Sequence, residues 1–279
     1  MTLILWDGVN KMTQEDRLEY LIRELMSEEE ELEQEMPETY DEKRRLLRAL
    51  MNIRMPKKIS HEFIKIQNAF LTEEAEERGI VYVENLPVSS SRRPDTKIRN
   101  ASKIVLWQGD ITRLSVDAIV NAANGRLLGC FIPNHGCIDN AIHSAAGLQL
   151  REECAAIMKE SIVEEPVGGA QLTGGYNLPC EYVIHTVGPT VTGELTKDNI
   201  RDLRSCYHSC LEMAELNKLS SIAFGCIATE AGGFPKEEAA AVAVDTIDKF
   251  LDKSIYVNKV VINVFKEEDY KIYDRLFQR

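Results

Sequence analysis

From Lys103 onward, short runs rich in β-branched residues, at 104–107, 116–120, 182–187, 221–227 and 258–264, alternate with helical patterns at 137–146, 149–160, 198–216 and 236–251. No other feature of the chain restricts its fold as strongly. Apolar runs of this length read as strands buried on both faces, and the amphipathic segments between them supply the covering layers. The expectation is an α/β domain whose sheet carries helices on both sides. A further strand near 170–173 is expected at the sheet edge. With 279 residues and 44% hydrophobic content, the chain can bury one large core, or one core and a smaller appendage.

The N-terminal third has a different texture. Thr13 and Asp16 stand at capping-box spacing ahead of Leu18, Leu21, Ile22, Leu25 and Met26, which predicts a helix over 13–33. Thr39 and Glu42 repeat the signature ahead of Leu46, Leu47, Leu50 and Met51, in a helix ending near Pro56. A third helix is predicted from Ser60 to around Gly79, using Phe63, Ile64, Gln67, Phe70 and Leu71. The acidic run Glu28 to Glu31 reads as a solvated face. The polar stretch PVSSSRRPDTK, residues 87–97, marks the expected boundary between a helical N-terminal extension, 1–90, and the α/β domain, 91–279.

Charge and cysteine usage narrow the function classes. A net charge of -12 disfavours non-specific binding to nucleic acid or an anionic membrane, and leaves open a local basic pocket for an anionic ligand. The start, MTLILWDGVNK, lacks the pattern of a signal peptide, and no window has the apolar length of a membrane helix. Seven cysteines, an odd and sparse set, point to a reducing compartment, with the cytoplasm as the expected location.

Residues 109–147 carry the chemistry. Val116, Ala118, Ile119 and Val120 deliver the chain to Asn121, Ala122, Ala123 and Asn124 at a strand end, where α/β sheets bind ligands. The two carboxamides either hold a polar substrate or brace the turn. Cys130, His135 and Cys137 follow within eight residues, a donor set suited to zinc with a fourth position open, or else two small buried hydrophobes and a loop histidine. Asp139, in the first turn of the next helix, either complements the helix dipole or orients and deprotonates a water. His143 one turn on is read as packing, His185 as a satisfied core histidine, and Cys154, Cys180, Cys206, Cys210 and Cys226 as buried thiols.

These residues resemble a known family. Gly109-Asp110-Ile111-Thr112, Val116 to Asn124 and Asp139 to Gly147 are similar to the macrodomain, a three-layer α/β/α module with a mixed central sheet that binds ADP-ribose. Gly129 to His143 resembles the catalytic loop of the zinc-containing, sirtuin-associated microbial macrodomains, which remove mono-ADP-ribose from proteins and carry a helical N-terminal extension. The resemblance implies that Asp110 accepts a hydrogen bond from the adenine amino group beside the backbone of Ile111, and that Asn121 and Asn124 hold the protein-linked ribose. It further implies that Cys130, His135 and Cys137 bind one zinc ion per chain and that Asp139 stands where the family has its catalytic acidic residue. The segment Cys226, Ile227, Ala228, Thr229, Glu230, Ala231, Gly232, Gly233 and Phe234 matches the loop that wraps the diphosphate through backbone N–H groups.

The chain departs from the family pattern at Ala228, Thr229 and Glu230, where relatives usually have Ser-Thr-Gly. A glutamate facing the diphosphate would weaken binding, and a glutamate at a glycine angle would be strained. Phe234 is expected over the proximal ribose or as a loop anchor, and Phe265 and Tyr270 are candidates to cover the adenine or close the core. The implied activity is zinc-dependent hydrolysis of mono-ADP-ribose from a protein side chain, releasing ADP-ribose. The implied partner is a lipoyl-carrier protein modified by a sirtuin-like transferase. Two other functions remain from the sequence: a non-catalytic ADP-ribose reader, and an interaction protein with structural zinc and a cleft damaged at Glu230.

Overall fold

The computed structural model describes residues 11–28, 35–161 and 163–278. Helices α1 (Gln14–Ser27), α2 (Tyr40–Ile53) and α3 (His61–Glu77) come first, each started by the side chain expected of it. Thr13 accepts from the Asp16 N–H in a complete capping box, Thr39 from Glu42 and Ser60 from Phe63. Such caps satisfy donors that a helix start otherwise leaves bare, at about 1 kcal/mol each. Their apolar stripes, with Leu18, Leu47 and Phe70 fully enclosed, form a small core of their own. The remainder of the first predicted helix, 29–33, and with it most of the acidic run, lies outside the described residues. Glu28 is no free charge: it accepts from the Arg54 guanidinium at 2.7 and 3.1 Å and pairs with Lys57 at 3.1 Å.

The chain then lays down β1 (Val81–Tyr82), β2 (Ile104–Gln108), β3 (Leu114–Ser115), β4 (Ala118–Ala123), α4 (Ile138–Ala146), α5 (Leu148–Glu160), β5 (Ala170–Gly174) and β6 (Tyr182–Val187). It closes with α6 (Lys197–Leu216), β7 (Ser221–Phe224), α7 (Lys236–Leu251), β8 (Lys259–Val264) and α8 (Glu267–Phe277). Among the described residues, six strands form one sheet in the order β2-β8-β7-β4-β6-β5, parallel except for β5 at the edge. The edge strand is where the sequence puts it. Side chains alternate across the sheet: Ile104, Val120 and Ile184 pack under α6, α7 and α8, whereas Val105, Ile119 and Val183 pack under α4 and α5. The result is the expected three-layer α/β/α architecture with a mixed sheet, preceded by a helical region.

The extension lies outside α4 and α5, joining their layer through Leu148. Arg151, a buried residue of α5, donates from Nη1 to the carbonyls of Met51, Asn52 and Arg54 at 2.9, 2.8 and 2.7 Å, so a guanidinium from one unit caps the end of α2 in the other. That satisfies the carbonyls a helix leaves bare and places positive charge at the negative end of its dipole. Strand β1 pairs with β3, bringing residues 81–82 against 114–115, before the polar stretch at 87–97 is reached. The pair β1–β3 and the helix α8 are not anticipated in the sequence reading.

Candidate active site and metal loop

Strand β4 is apolar and buried as far as Val120, and the next residue, Asn121, is fully buried at its exit from the core. Its Nδ2 donates to Asp139 Oδ1 at 2.8 Å and lies 3.1 Å from His185 Nδ1. The amide fills both contacts only if His185 offers a lone pair at Nδ1 and carries its proton on Nε2. That nitrogen is 2.9 Å from the Thr173 hydroxyl, whose own proton reaches the Val183 carbonyl at 3.3 Å. Asn121 Oδ1 is left buried and without a hydrogen-bond partner among the described residues. Such an acceptor is costly unless a ligand donor meets it.

Asn124 has a different environment. It is exposed, donates to the Gly129 carbonyl at 3.2 Å and accepts from the Arg126 N–H at 3.0 Å, contacts that brace the turn. Asp139 sits in the first turn of α4, and burial raises its pKa to about 6 against the lowering pull of Asn121 and Arg151. His143 Nε2 is 3.5 Å from Asp139 Oδ1. Burial, with His185 and Arg151 nearby, holds the His143 pKa well below the usual histidine range, so its ring is neutral. Burial likewise lowers His185 to about 4.

The loop between Asn124 and α4 turns on Leu127, Gly129 and Asn134, which have φ of 59°, 79° and 54°. At Gly129 a Cβ would stand 2.8 Å from the His143 ring, so the loop can close over α4 only with glycine there. This loop brings Cys130, His135 and Cys137 together, with ligand atoms all within 4.8 Å of one another and Cys130 Sγ 3.5 Å from His135 Nδ1. Cys137 is the N-cap of α4, its sulfur accepting from the Asn140 N–H at 3.4 Å. Burial, with Cys130 and Asp139 adjacent, nonetheless pushes its thiol up to about 11. Two thiols and a carboxylate this close repel one another as anions, and a divalent cation relieves that repulsion. Donor types and convergence therefore fit zinc. A second group, His143, Cys154 and His185, also brings its ligand atoms within 4.8 Å, but it is wholly buried and the nitrogens of His185 are already engaged by Asn121 and Thr173.

Residues of the extension hold this loop, and sequence reasoning missed them. Arg48 donates to Asn140 Oδ1 at 2.9 and 2.7 Å and to the His135 carbonyl at 3.1 Å. Asn52 accepts from the Asn134 N–H at 3.0 Å and donates to Ser144 Oγ at 3.0 Å. The available signal was their spacing: Arg48 and Asn52 lie one turn apart on α2, a polar stripe on one face. Arg151 belongs with them, since its guanidinium lies 4.4 Å from the centre of the Phe131 ring in the loop itself.

Opposite stands the segment 226–234. Left-handed φ falls on Ala228 and Gly233, 64° in each, and not on Glu230. The Glu230 side chain is exposed and pairs with Lys266 at 2.5 Å, so the strain and the inward-facing charge both fail to materialise. Gly232 is required: a Cβ there would meet the Ala228 carbonyl at 2.6 Å and that of Pro189 at 2.8 Å. Ile227 and Phe234 are buried beneath the loop, which makes Phe234 its anchor, and α7 begins two residues later. Cys226 is half-buried, whereas Cys154, Cys180, Cys206 and Cys210 are buried as expected.

Asp110 accepts from the Thr112 N–H and hydroxyl at 2.9 and 2.7 Å through Oδ1, and its Oδ2 pairs with Arg78 from the end of α3. Ile111 is buried beside it. Phe265 is exposed at 75%, while Tyr270 is partly buried and its hydroxyl accepts from Arg92 at 2.7 Å.

Comparison with known proteins gives a consistent picture. Residues 120–243 match the model of the Macro domain. The chain is 45% identical over 266 residues to a protein of Treponema medium named protein-ADP-ribose hydrolase, covering 95% of this chain and 99% of that one. A Staphylococcus aureus protein of the same name is 41% identical, covering 94% and 96%. Among solved structures, the Trypanosoma brucei macrodomain in complex with ADP-ribose superposes with a TM-score of 0.63 at 32% identity, covering 82% of this chain and 94% of that one.

Proposed function

The chain belongs to the Macro domain family, and from that premise we propose that it is a protein-ADP-ribose hydrolase, cleaving the bond between a protein side chain and the anomeric carbon of mono-ADP-ribose. One observation carries the reading: a buried carboxylate, Asp139, hydrogen-bonded to a buried amide, Asn121, directly beneath a loop that converges two cysteines and a histidine. A reader module needs neither the carboxylate nor the loop.

With a pKa raised to about 6, Asp139 is largely ionised at neutral pH yet basic enough to accept a proton from an attacking water. Its charge also stabilises the positive charge that develops on the ribose as the bond breaks. Asn121 fixes the carboxylate by its N–H, and its unpartnered Oδ1 is the acceptor for a ribose hydroxyl. Asn124 holds the turn that presents the ribose. Cys130, His135 and Cys137 would hold one zinc ion, whose chemistry when bound is Lewis acidity toward a ribose hydroxyl or a water. The N–H groups of the Cys226 to Phe234 loop and the start of α7 suit the diphosphate. At the adenine end, the amino group would share Asp110 with Arg78, next to Ile111. The acceptor protein we propose is a lipoyl-carrier protein modified by a sirtuin-like transferase, on the family resemblance alone, with ADP-ribose as product.

The test is release of mono-ADP-ribose from a protein modified on an acidic side chain, using metal-replete enzyme, a chelated control and Asp139→Ala. Release by the first, lost in the other two, supports a zinc-dependent hydrolase. Retained ADP-ribose affinity with no release, across acidic and other linkages, would mean a reader instead.

A further inference from the structure

A cleft of about 420 Å³ opens between α2 and the metal loop, lined by Arg44, Arg45, Arg48, Glu74 and Asn134. Its charges do not balance. Arg44 engages Glu74 side-on, at 2.5 and 2.8 Å, which neutralises that pair. Arg48 is half-buried, yet its guanidinium meets only neutral acceptors, Asn140 Oδ1 and the His135 carbonyl. Among the described residues, neither Arg45 nor Arg48 pairs with a carboxylate. Two uncompensated guanidiniums thus face one opening on a chain whose net charge is -12. The half-buried Arg48 beside the exposed Arg45 favours an anionic guest.

Position identifies the guest. The loop side of the cleft is Asn134, next to His135, and the proposed reaction puts the protein-linked ribose on that same loop. A protein attached to the ribose has to leave the site beside it. Arg45 and Arg48 are three residues apart on α2, on one helix face, where they can meet two carboxylates of one extended strand. We propose that this cleft docks an acidic segment of the modified protein, in the chain immediately flanking the modified side chain. The inference rests on the hydrolase reading and deepens it: the helical extension is the element that selects the protein, while the sheet and its loops handle the nucleotide. An acidic enzyme then needs its basic cleft to bring acidic partners in by the correct face.

The experiment uses two mono-ADP-ribosylated peptides with the same modified residue, one flanked by glutamates and one by glutamines. Full-length enzyme, Arg45→Glu and a charge-matched control at an exposed lysine, Lys253→Glu, are compared at low salt. The acidic peptide is expected to show a KM roughly five- to tenfold lower than the neutral one, as two partly exposed ion pairs predict. Arg45→Glu should erase that difference through KM rather than kcat, and Lys253→Glu should keep it. Equal KM values with wild-type enzyme would overturn the docking proposal while leaving the hydrolase reading intact. If neither peptide is cleaved, the hydrolase reading fails, and binding of the unmodified acidic peptide, followed by anisotropy, decides the docking: affinity lost in Arg45→Glu supports it, and no affinity overturns it. Displacement of the bound peptide by inorganic phosphate alone would assign the cleft to phosphate and overturn the proposal.

Discussion

His185 is 64 residues from Asn121 in the chain, and the parallel register of β4 with β6 sets the two side by side. That pairing turns a core histidine into the residue that fixes the amide orienting Asp139. His185→Phe should therefore lower kcat more than KM in an ADP-ribose release assay, while leaving the Asn121 N–H and the Thr173 hydroxyl short of a partner at a cost of about 1–3 kcal/mol in urea unfolding. The same histidine sets a pH response. His185 is held at about 4 and His143 lower than normal, so between about pH 6.5 and 4 the unfolded chain binds two protons that the folded one refuses. Asp139 acts in the opposite sense, since the folded state, with a pKa of about 6 against 3.8, takes up a proton first. Two against one leaves the unfolded state with more protons, so stability falls as pH drops from 7 to 5. Urea melts across that range check the sign, and His185→Gln should flatten the slope. None of this was legible in the sequence. Asp139 and the Cys130, His135 and Cys137 trio could be read from one short stretch, but a contact set by strand register has no local signature.

At the scale of elements, what could be read was what is decided locally. Caps at Thr13, Thr39 and Ser60, and stripes such as Leu18, Leu21, Ile22 and Leu25, are written in adjacent residues, and those helices are where the pattern puts them. The two-residue strands β1 and β3 exist only because each finds the other, and α8, with three acids in its first turn, is buried through Ile272, Tyr273 and Phe277 against strands it meets late. The loop 226–234 shows the same limit. Its departure at Glu230 is visible in the sequence, but the backbone places the left-handed angle at Ala228 and points Glu230 toward Lys266. Ala228→Gly should accordingly stabilise the protein, by about 0.5–1 kcal/mol in thermal unfolding, because relief of the left-handed backbone outweighs the entropy glycine adds to the unfolded chain. Gly232→Ala should do the reverse. Its Cβ would press on two backbone carbonyls, and calorimetry should show ADP-ribose affinity reduced at least about tenfold.

For the whole molecule, the extension and the α/β domain share too many bonds to be tested apart. Arg48 and Asn52 hold the loop of Cys130 and His135, Arg151 caps α2, and Leu148 belongs to the core of α1–α3. A fragment of residues 91–279 should express poorly or melt far below the full chain. The fragment strips Arg151 of three carbonyl partners and exposes apolar surface around Leu148, together a loss of about 3 kcal/mol or more. Circular dichroism melts of fragment and full chain measure the difference. The buried arginine also bears on ancestry. A lineage that shed the helices would uncover Arg151 and deprive the loop at Asn134 and His135 of its Asn52 and Arg48 contacts, so compensating changes at those positions are expected to accompany the loss. Module and extension are therefore expected to be inherited as one block, and a gene fusion that grafts these helices onto another macrodomain should fail unless the arginine travels with them.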